Sequence, residues 1–185
     1  MSSAFSTGGE KAVFLDIGGN VGWFSTFAAA AGHRTETFEP MASNSALIKQ
    51  SIKANPGFKE RLSLHEHGLT DGETTNCGFI TSSTNQGDGQ IACGSELERK
   101  KAEQGVVSKA FQLKRLDDVL QHVPRIDVVK IDVEGHELQA LRGGEKMLRK
   151  WRPKVIFTEY VDCCRFPYQD CHMLSLKKQQ EVEGP

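Results

Sequence analysis

The first apolar run of the chain leads straight into candidate chemistry: "VFLDIGGNVGWFS" covers residues 13–25. Asp16 sits near its end, and Gly18, Gly19, Asn20 and Gly22 follow within six residues. Glycines placed after a strand let the backbone come very close to a ligand. A second acid, Glu39, ends the next short run, "RTETFEP". A third group, Asp132, Glu134, His136 and Glu137, crowds "KIDVEGHE". Acids are favoured at a helix start, but three of them with a histidine exceed what a cap needs, so a reaction site is expected there. Asp132, Glu134 and His136 are each able to remove a proton from a hydroxyl, and the sequence does not rank them. Asp132 and Glu134 are also hard oxygen ligands of the kind that suits Mg2+, although two ligands make a thin case.

Spacing narrows what the glycine loop can hold. The dinucleotide fingerprint G-x-G-x-x-G, counted from Gly18, requires glycine at 20 and 23, where Asn20 and Trp23 stand. A phosphate-binding G-x-x-x-x-G-K-[ST] loop is absent. Phosphate also sits badly beside Asp16 and the acids of 132–137, because like charges in a partly desolvated cleft repel. A cationic, phosphate-free nucleoside suits these residues better, and S-adenosylmethionine (SAM) is one. Asp16 then holds its ammonium, directly or through water. Glu39 accepts both ribose hydroxyls. Gly18, Gly19 and Gly22 let the backbone pass under its amino-acid part. Asn20 fits as well, since asparagine tolerates positive φ.

These groups need elements to hold them, and the chain alternates accordingly. Residues 12–17 read as a buried strand, 21–32 as a helix closed by Gly32, and 34–40 as a strand stopped by Pro40. Residues 43–57 read as a helix and 61–69 as one half-buried strand. The polar, glycine-rich stretch 70–110 shows only two short candidate strands, 77–80 and 106–111. A short helix (116–123), a buried strand (126–132), one helix (136–151) and a last strand (154–160) complete the order. Such alternation implies right-handed crossovers and a parallel sheet covered on both faces. Ligands of such sheets lie beyond the carboxyl ends of the strands. Asp16, Glu39, Gly68, Asp132 and Glu159 are all expected at that edge. Lys130, inside an apolar strand, must pair with a carboxylate there.

Three stretches in this order, "FLDIGGNVGWFS", "FEPMASN" and "LDDVL…IDVVKIDVEGHELQALRGG…VIFTEY", resemble the FkbM-type family of SAM-dependent methyltransferases over roughly residues 12–160. The resemblance implies a Rossmann-like class I methyltransferase fold: an α/β, mostly parallel sheet with helices on both faces. It also implies O-methylation of a hydroxyl on a sugar or other natural product, hence a small-molecule or glycan acceptor. Gly68 and Leu69 are then expected to offer backbone to the adenine, while Met41 is read either as packing on the adenine or as filling the core. Residues 1–11 are expected to form a short leading segment and 161–185 an irregular polar tail. The final β-hairpin usual in the family is not legible in that tail. A chain lacking it leaves strand 154–160 as an open sheet edge, suited to self-association. Two rival readings stand beside the enzyme: a non-catalytic SAM-fold module that binds a partner, and an NAD-dependent oxidoreductase.

Bulk properties exclude other classes. With 24 acids and 23 bases in 185 residues, no global field favours nucleic acid or an anionic membrane. No apolar run approaches the ~20 residues of a membrane helix, and "MSSAFSTGGEKA" lacks the pattern of a signal peptide, so a soluble, cytoplasmic protein is expected. The five cysteines are an odd number without a disulfide framework and read as reduced thiols. Cys163, Cys171 and His172 match no zinc spacing.

Overall fold

A computed structural model describes residues 11–82, 85–104 and 110–158. Five parallel strands form the main sheet, in the order β3-β2-β1-β8-β9. They are β1 (Val13–Ile17), β2 (Arg34–Phe38), β3 (Leu62–His65), β8 (Val128–Ile131) and β9 (Val155–Thr158). All residues of β1 are buried, as a central strand covered on both faces requires. Register is tight around it: Asp16 lies opposite Thr37 on one side and Lys130 on the other.

The crossovers supply the two covering layers. On one face, α1 (Trp23–Ala30) and α2 (Ala42–Ala54) bury Ala28, Ala29 and Ile48 with Phe14, Phe58, Leu62 and Val128. On the other, α4 (Leu116–Val119), α5 (Glu137–Gly143) and α6 (Glu145–Trp151) bring Leu116, Ala140, Met147 and Trp151 onto Leu15, Ile17, Phe38, Val129 and Ile131. Side-chain polar groups secure this layer where helix ends leave donors unpaired. Asp117 accepts the Met147 backbone N–H at 2.9 Å, and the Trp151 indole donates to the Val123 carbonyl at 3.0 Å.

Three expectations change here. Residues 61–69 are two strands: β3 stays in the main sheet, and β4 (Gly68–Leu69) joins a second one. Gly68 permits the switch, because a Cβ there would lie 2.6 Å from a Leu113 methyl. The helix at 136–151 is likewise two. A Cβ on Gly143 would stand 2.0 Å from the Thr70 carbonyl oxygen, so the chain breaks between α5 and α6 where that backbone presses in.

The third change is stretch 70–110, whose described residues are mostly in regular elements, while 106–109 of the expected strand 106–111 lie outside the described residues. It contributes β5 (Thr75–Ser82), β6 (Asn85–Cys93) and α3 (Gly94–Gln104), and β7 (Phe111–Lys114) follows it. With β4 these strands make a four-stranded sheet in the order β4-β7-β5-β6. Cys77 and Cys93 face each other across β5 and β6 and form a disulfide, which corrects the reading of both as free thiols. Their sixteen-residue separation is that of a hairpin, and the hairpin is what brings the sulfurs together. Among the described residues β9 is a margin of the main sheet. Glu159, the tail from 161 and the last two residues of the expected edge strand lie outside them.

Candidate active site

Strand ends and the loops that follow them build one cleft. The chain leaves β1 and must turn at once into α1. It does so with three left-handed residues, Gly18 (φ 83°), Asn20 (φ 51°) and Gly22 (φ 86°). Asparagine is among the few side chains that accept this conformation. The loop is tied to the neighbouring strand, since the Gly18 and Gly19 N–H groups both donate to the Phe38 carbonyl, at 3.0 and 2.9 Å.

The glycines are required by the protein's own packing. A Cβ on Gly18 would stand 1.9 Å from the Asp132 carbonyl oxygen, and one on Gly19 would stand 2.5 Å from a Thr37 methyl. Gly22 faces Ile48 at 2.8 Å in the same sense. The loop is therefore pressed against β2, β8 and α2 rather than kept clear for a ligand. Gly19 and Gly22 are absent from the cavity lining described below.

Glu39, just past β2, is the hinge of the site. It is 4% exposed. One carboxylate oxygen accepts the Asn20 N–H at 2.7 Å and the other accepts the Met41 N–H at 2.8 Å. Burial pushes its pKa up, and those two N–H groups oppose the shift. Asn44 on α2 reaches back to the Asn20 side chain at 3.3 Å.

Asp16 lies behind the loop. It is fully buried, accepts the Ser25 hydroxyl at 2.5 Å and stands 3.5 Å from the Lys130 ammonium. Burial raises its pKa against the pull of Lys130 and Ser25. It does not line the cavity, and it lies behind the loop whose backbone does. Lys130 also donates to the Gly18 carbonyl at 2.7 Å and lies 3.4 Å from Asp132, which makes it the internal partner its strand position demanded.

The turn from β8 into α5 carries the remaining acids. Glu134 (φ 51°) and Gly135 (φ 95°) both take left-handed backbone. Such conformations in non-glycine residues concentrate at functional sites. Glu137 is a capping group, accepting the Val133 and Gly135 N–H groups at 3.1 Å each. His136 is the residue before α5, and burial lowers its pKa against the pull of Glu137. Asp132 keeps a side chain 43% exposed beside Lys130.

Between these loops and the second sheet lies a cavity of ≈ 410 Å³. Gly18, Asn20, Glu39, Met41, Gly68, Leu69, Asp132, Glu134 and His136 all line it. Nine of the twelve residues singled out in the sequence thus meet in one place. Among the described residues no lysine or arginine belongs to its lining, whereas three acids do. Sequence reasoning missed the opposite wall, where Phe79, Ile91 and Leu113 come from β5, β6 and β7. The alternation in "TNCGFI" and "FQLK" was the available signal, masked by the polar residues around it. Among the described residues no three of His, Cys, Asp or Glu converge as a metal site, and Mg2+ finds no support.

A family model described as the methyltransferase FkbM domain matches residues 16–175. The chain belongs to the FkbM methyltransferase family. Among solved structures, this FkbM chain is similar to the methyltransferase FkbM from Methylobacillus flagellatus KT, at 18% identity and a TM-score of 0.52. That superposition covers 79% of this chain and 32% of the other, and it speaks to the fold alone. The FkbM domain thus spans about a third of that relative's length. A looser likeness, with a TM-score of 0.47, 14% identity and coverage of 88% and 61%, is to a precorrin-6y C5,15-methyltransferase from Geobacter metallireducens GS-15. No curated protein sequence matches this FkbM chain. No described helix is long and apolar enough to cross a membrane.

Proposed function

We propose that the chain binds SAM in the cavity and transfers its methyl group to a hydroxyl of a sugar or other small natural product. The observation that carries this reading is a cavity lined by three acids and, among the described residues, by no lysine or arginine, at the carboxyl edge of a parallel sheet. A pyrophosphate would meet Glu39, Asp132 and Glu134, of which only Asp132 has a lysine, Lys130, against it among the described residues, which disfavours a dinucleotide. A ligand that is cationic near its reacting atom meets complementary charge instead. The volume lies within the usual range of ligand cavities, roughly 300–1,000 Å³.

The donor set fits this cofactor. Each Glu39 oxygen accepts one backbone N–H and keeps a further acceptor position for a ribose hydroxyl. Met41 and Leu69 offer apolar contact to a base. Asn20 lines the cavity with an amide that Asn44 orients. When bound, the cofactor supplies an activated methyl carbon. The protein must then align the acceptor oxygen and take its proton.

We assign the proton to His136. Burial keeps its imidazole neutral near pH 7, the state a base needs. Asp132 is already paired with Lys130, and Glu137 is committed to capping α5. Asp132 and Glu134 instead keep the cavity negative around a developing imidazolium. In a transfer assay with labelled SAM against sugar and small-metabolite acceptors, His136→Gln should lose transfer while SAM affinity persists. Binding without transfer by the parent protein, across those acceptors, would favour the non-catalytic module.

A further inference from the structure

The apolar wall of the cavity and the cysteine pair are parts of one construction. Side chains alternate along a strand, so residues two apart share a face. Phe79 pairs with Ile91, and Cys77 with Cys93, at successive same-face positions of the β5–β6 ladder. Phe79 and Ile91 line the cavity. They also pack with both cysteines, Phe111 and Leu113 in a single cluster. The Phe79 and Phe111 rings stand 4.8 Å apart within it.

The position of this pair decides its leverage. Among the described residues β6 is the margin of the four-stranded sheet and pairs with β5. A two-stranded ladder at a margin has little stability of its own. The disulfide crosses the ladder one same-face step from Ile91, at the end where β6 passes into α3. It therefore fixes the separation of the two strands where they present Phe79 and Ile91 to the cavity.

We propose that Cys77–Cys93 is a redox-modifiable site that controls cofactor binding by holding the Phe79–Ile91 wall closed. Cys77 is fully buried, while Cys93 is partly exposed, so a dithiol reductant attacks at Cys93. Its thiolate forms a mixed disulfide with Cys93, and Cys77 leaves as a thiolate that takes up a proton. The second thiol of the reductant then displaces Cys93. Two electrons and two protons pass to the protein, and the reductant becomes a disulfide. In the dithiol form the strands part, the wall recedes and the cavity holds its ligand less well. A thiol-rich compartment would favour that open form and an oxidising one the closed form.

The binding readout rests on the SAM reading, so the test carries a second readout that does not. S-adenosylhomocysteine is titrated into the oxidised and the dithiol-reduced protein, and amide exchange is followed at Cys77, Phe79 and Ile91 in both. Oxidised protein should bind at least about fivefold more tightly, the lower range of coupling between sites, with faster exchange at these amides after reduction. The double variant Cys77→Ser, Cys93→Ser should match the reduced form under either condition. Equal affinity in the two states would overturn the proposal, as would two free thiols at these positions in protein purified without reductant. If neither state binds the ligand, the cofactor reading fails. Exchange then decides the switch: unchanged rates at Phe79 and Ile91 on reduction would overturn it.

Discussion

The Asn20 backbone N–H donates to Glu39 at 2.7 Å, so the glycine loop and the end of β2 are one hydrogen-bonded unit. Glu39 is thus both an expected ligand contact and the acceptor that shapes the loop. Glu39→Ala should weaken S-adenosylhomocysteine binding by ~1.5–3 kcal/mol, the usual worth of hydrogen bonds to a charged group. It should also lower the melting temperature, because the Asn20 and Met41 N–H groups lose their acceptor. Glu39→Gln keeps one acceptor and should fall between the two proteins. Calorimetry on all three gives the order.

Asn20 provides a test of backbone alone. With φ at 51° it can be replaced by glycine at little cost, whereas valine resists that conformation. Asn20→Gly should melt close to the parent and lose in binding only what its side-chain amide contributes. Asn20→Val should lose both loop geometry and affinity. A normal binding isotherm from the valine variant would contradict this account of the loop.

Gly18 and Gly135 both take positive φ but differ in what surrounds them. A Cβ on Gly135 meets nothing within 4 Å, while one on Gly18 would collide with the Asp132 carbonyl. Gly135→Ala should therefore cost only the left-handed penalty, about 1–2 kcal/mol. Gly18→Ala carries that penalty plus displacement of β8 or the loop, and should be clearly the more destabilised in chemical denaturation. Equal losses would mean that the loop is not packed against Asp132 as described.

How far the sequence could be read depended on whether burial pattern or long-range packing decided each element. β1 and β8 were legible because a parallel strand covered on both faces is largely apolar, as "VFLDI" and "IDVVKI" are, whereas β2, "RTETF", was marked by the stop at Pro40. The meeting of Glu39, Asn20 and Asp132 followed from strand-end position alone. The break at Gly143 was hidden, since it arises from Thr70, distant in the chain and close in space. The position of Asp16 beside the glycine loop was legible as a strand-end acid, but its partners inside the fold were not. Ser25 and Lys130 enclose it, and neither reveals that in its spacing. The second sheet was obscured for the same reason as the disulfide: both depend on pairing across a hairpin whose strands are short on apolar residues.

Histidines should give the stability a distinct pH signature. Burial lowers the pKa of His33, His67 and His136 from 6.5, so the folded protein prefers them neutral. Their contribution is present above pH 6.5 and lost as pH falls below it toward the folded-state values. Asp16 and Glu39 act in the opposite sense, because their raised pKa values relieve a burial penalty as they protonate. His33 offers the cleanest separation, since its Nδ1 accepts the Ala12 N–H at 3.2 Å and protonation removes that acceptor. His33→Asn keeps an acceptor without titrating. Its melting temperature should fall less than that of the parent between pH 7 and pH 5.

The central claim is that the acid-lined cavity takes a cationic nucleoside cofactor rather than a dinucleotide. Isothermal titration of the oxidised protein with SAM, S-adenosylhomocysteine and NAD addresses it directly. The account predicts one saturable site per chain for the first two, competitive with each other and weakened by Glu39→Ala, with no measurable binding of NAD. Saturable binding of NAD with no heat from SAM or S-adenosylhomocysteine would contradict it.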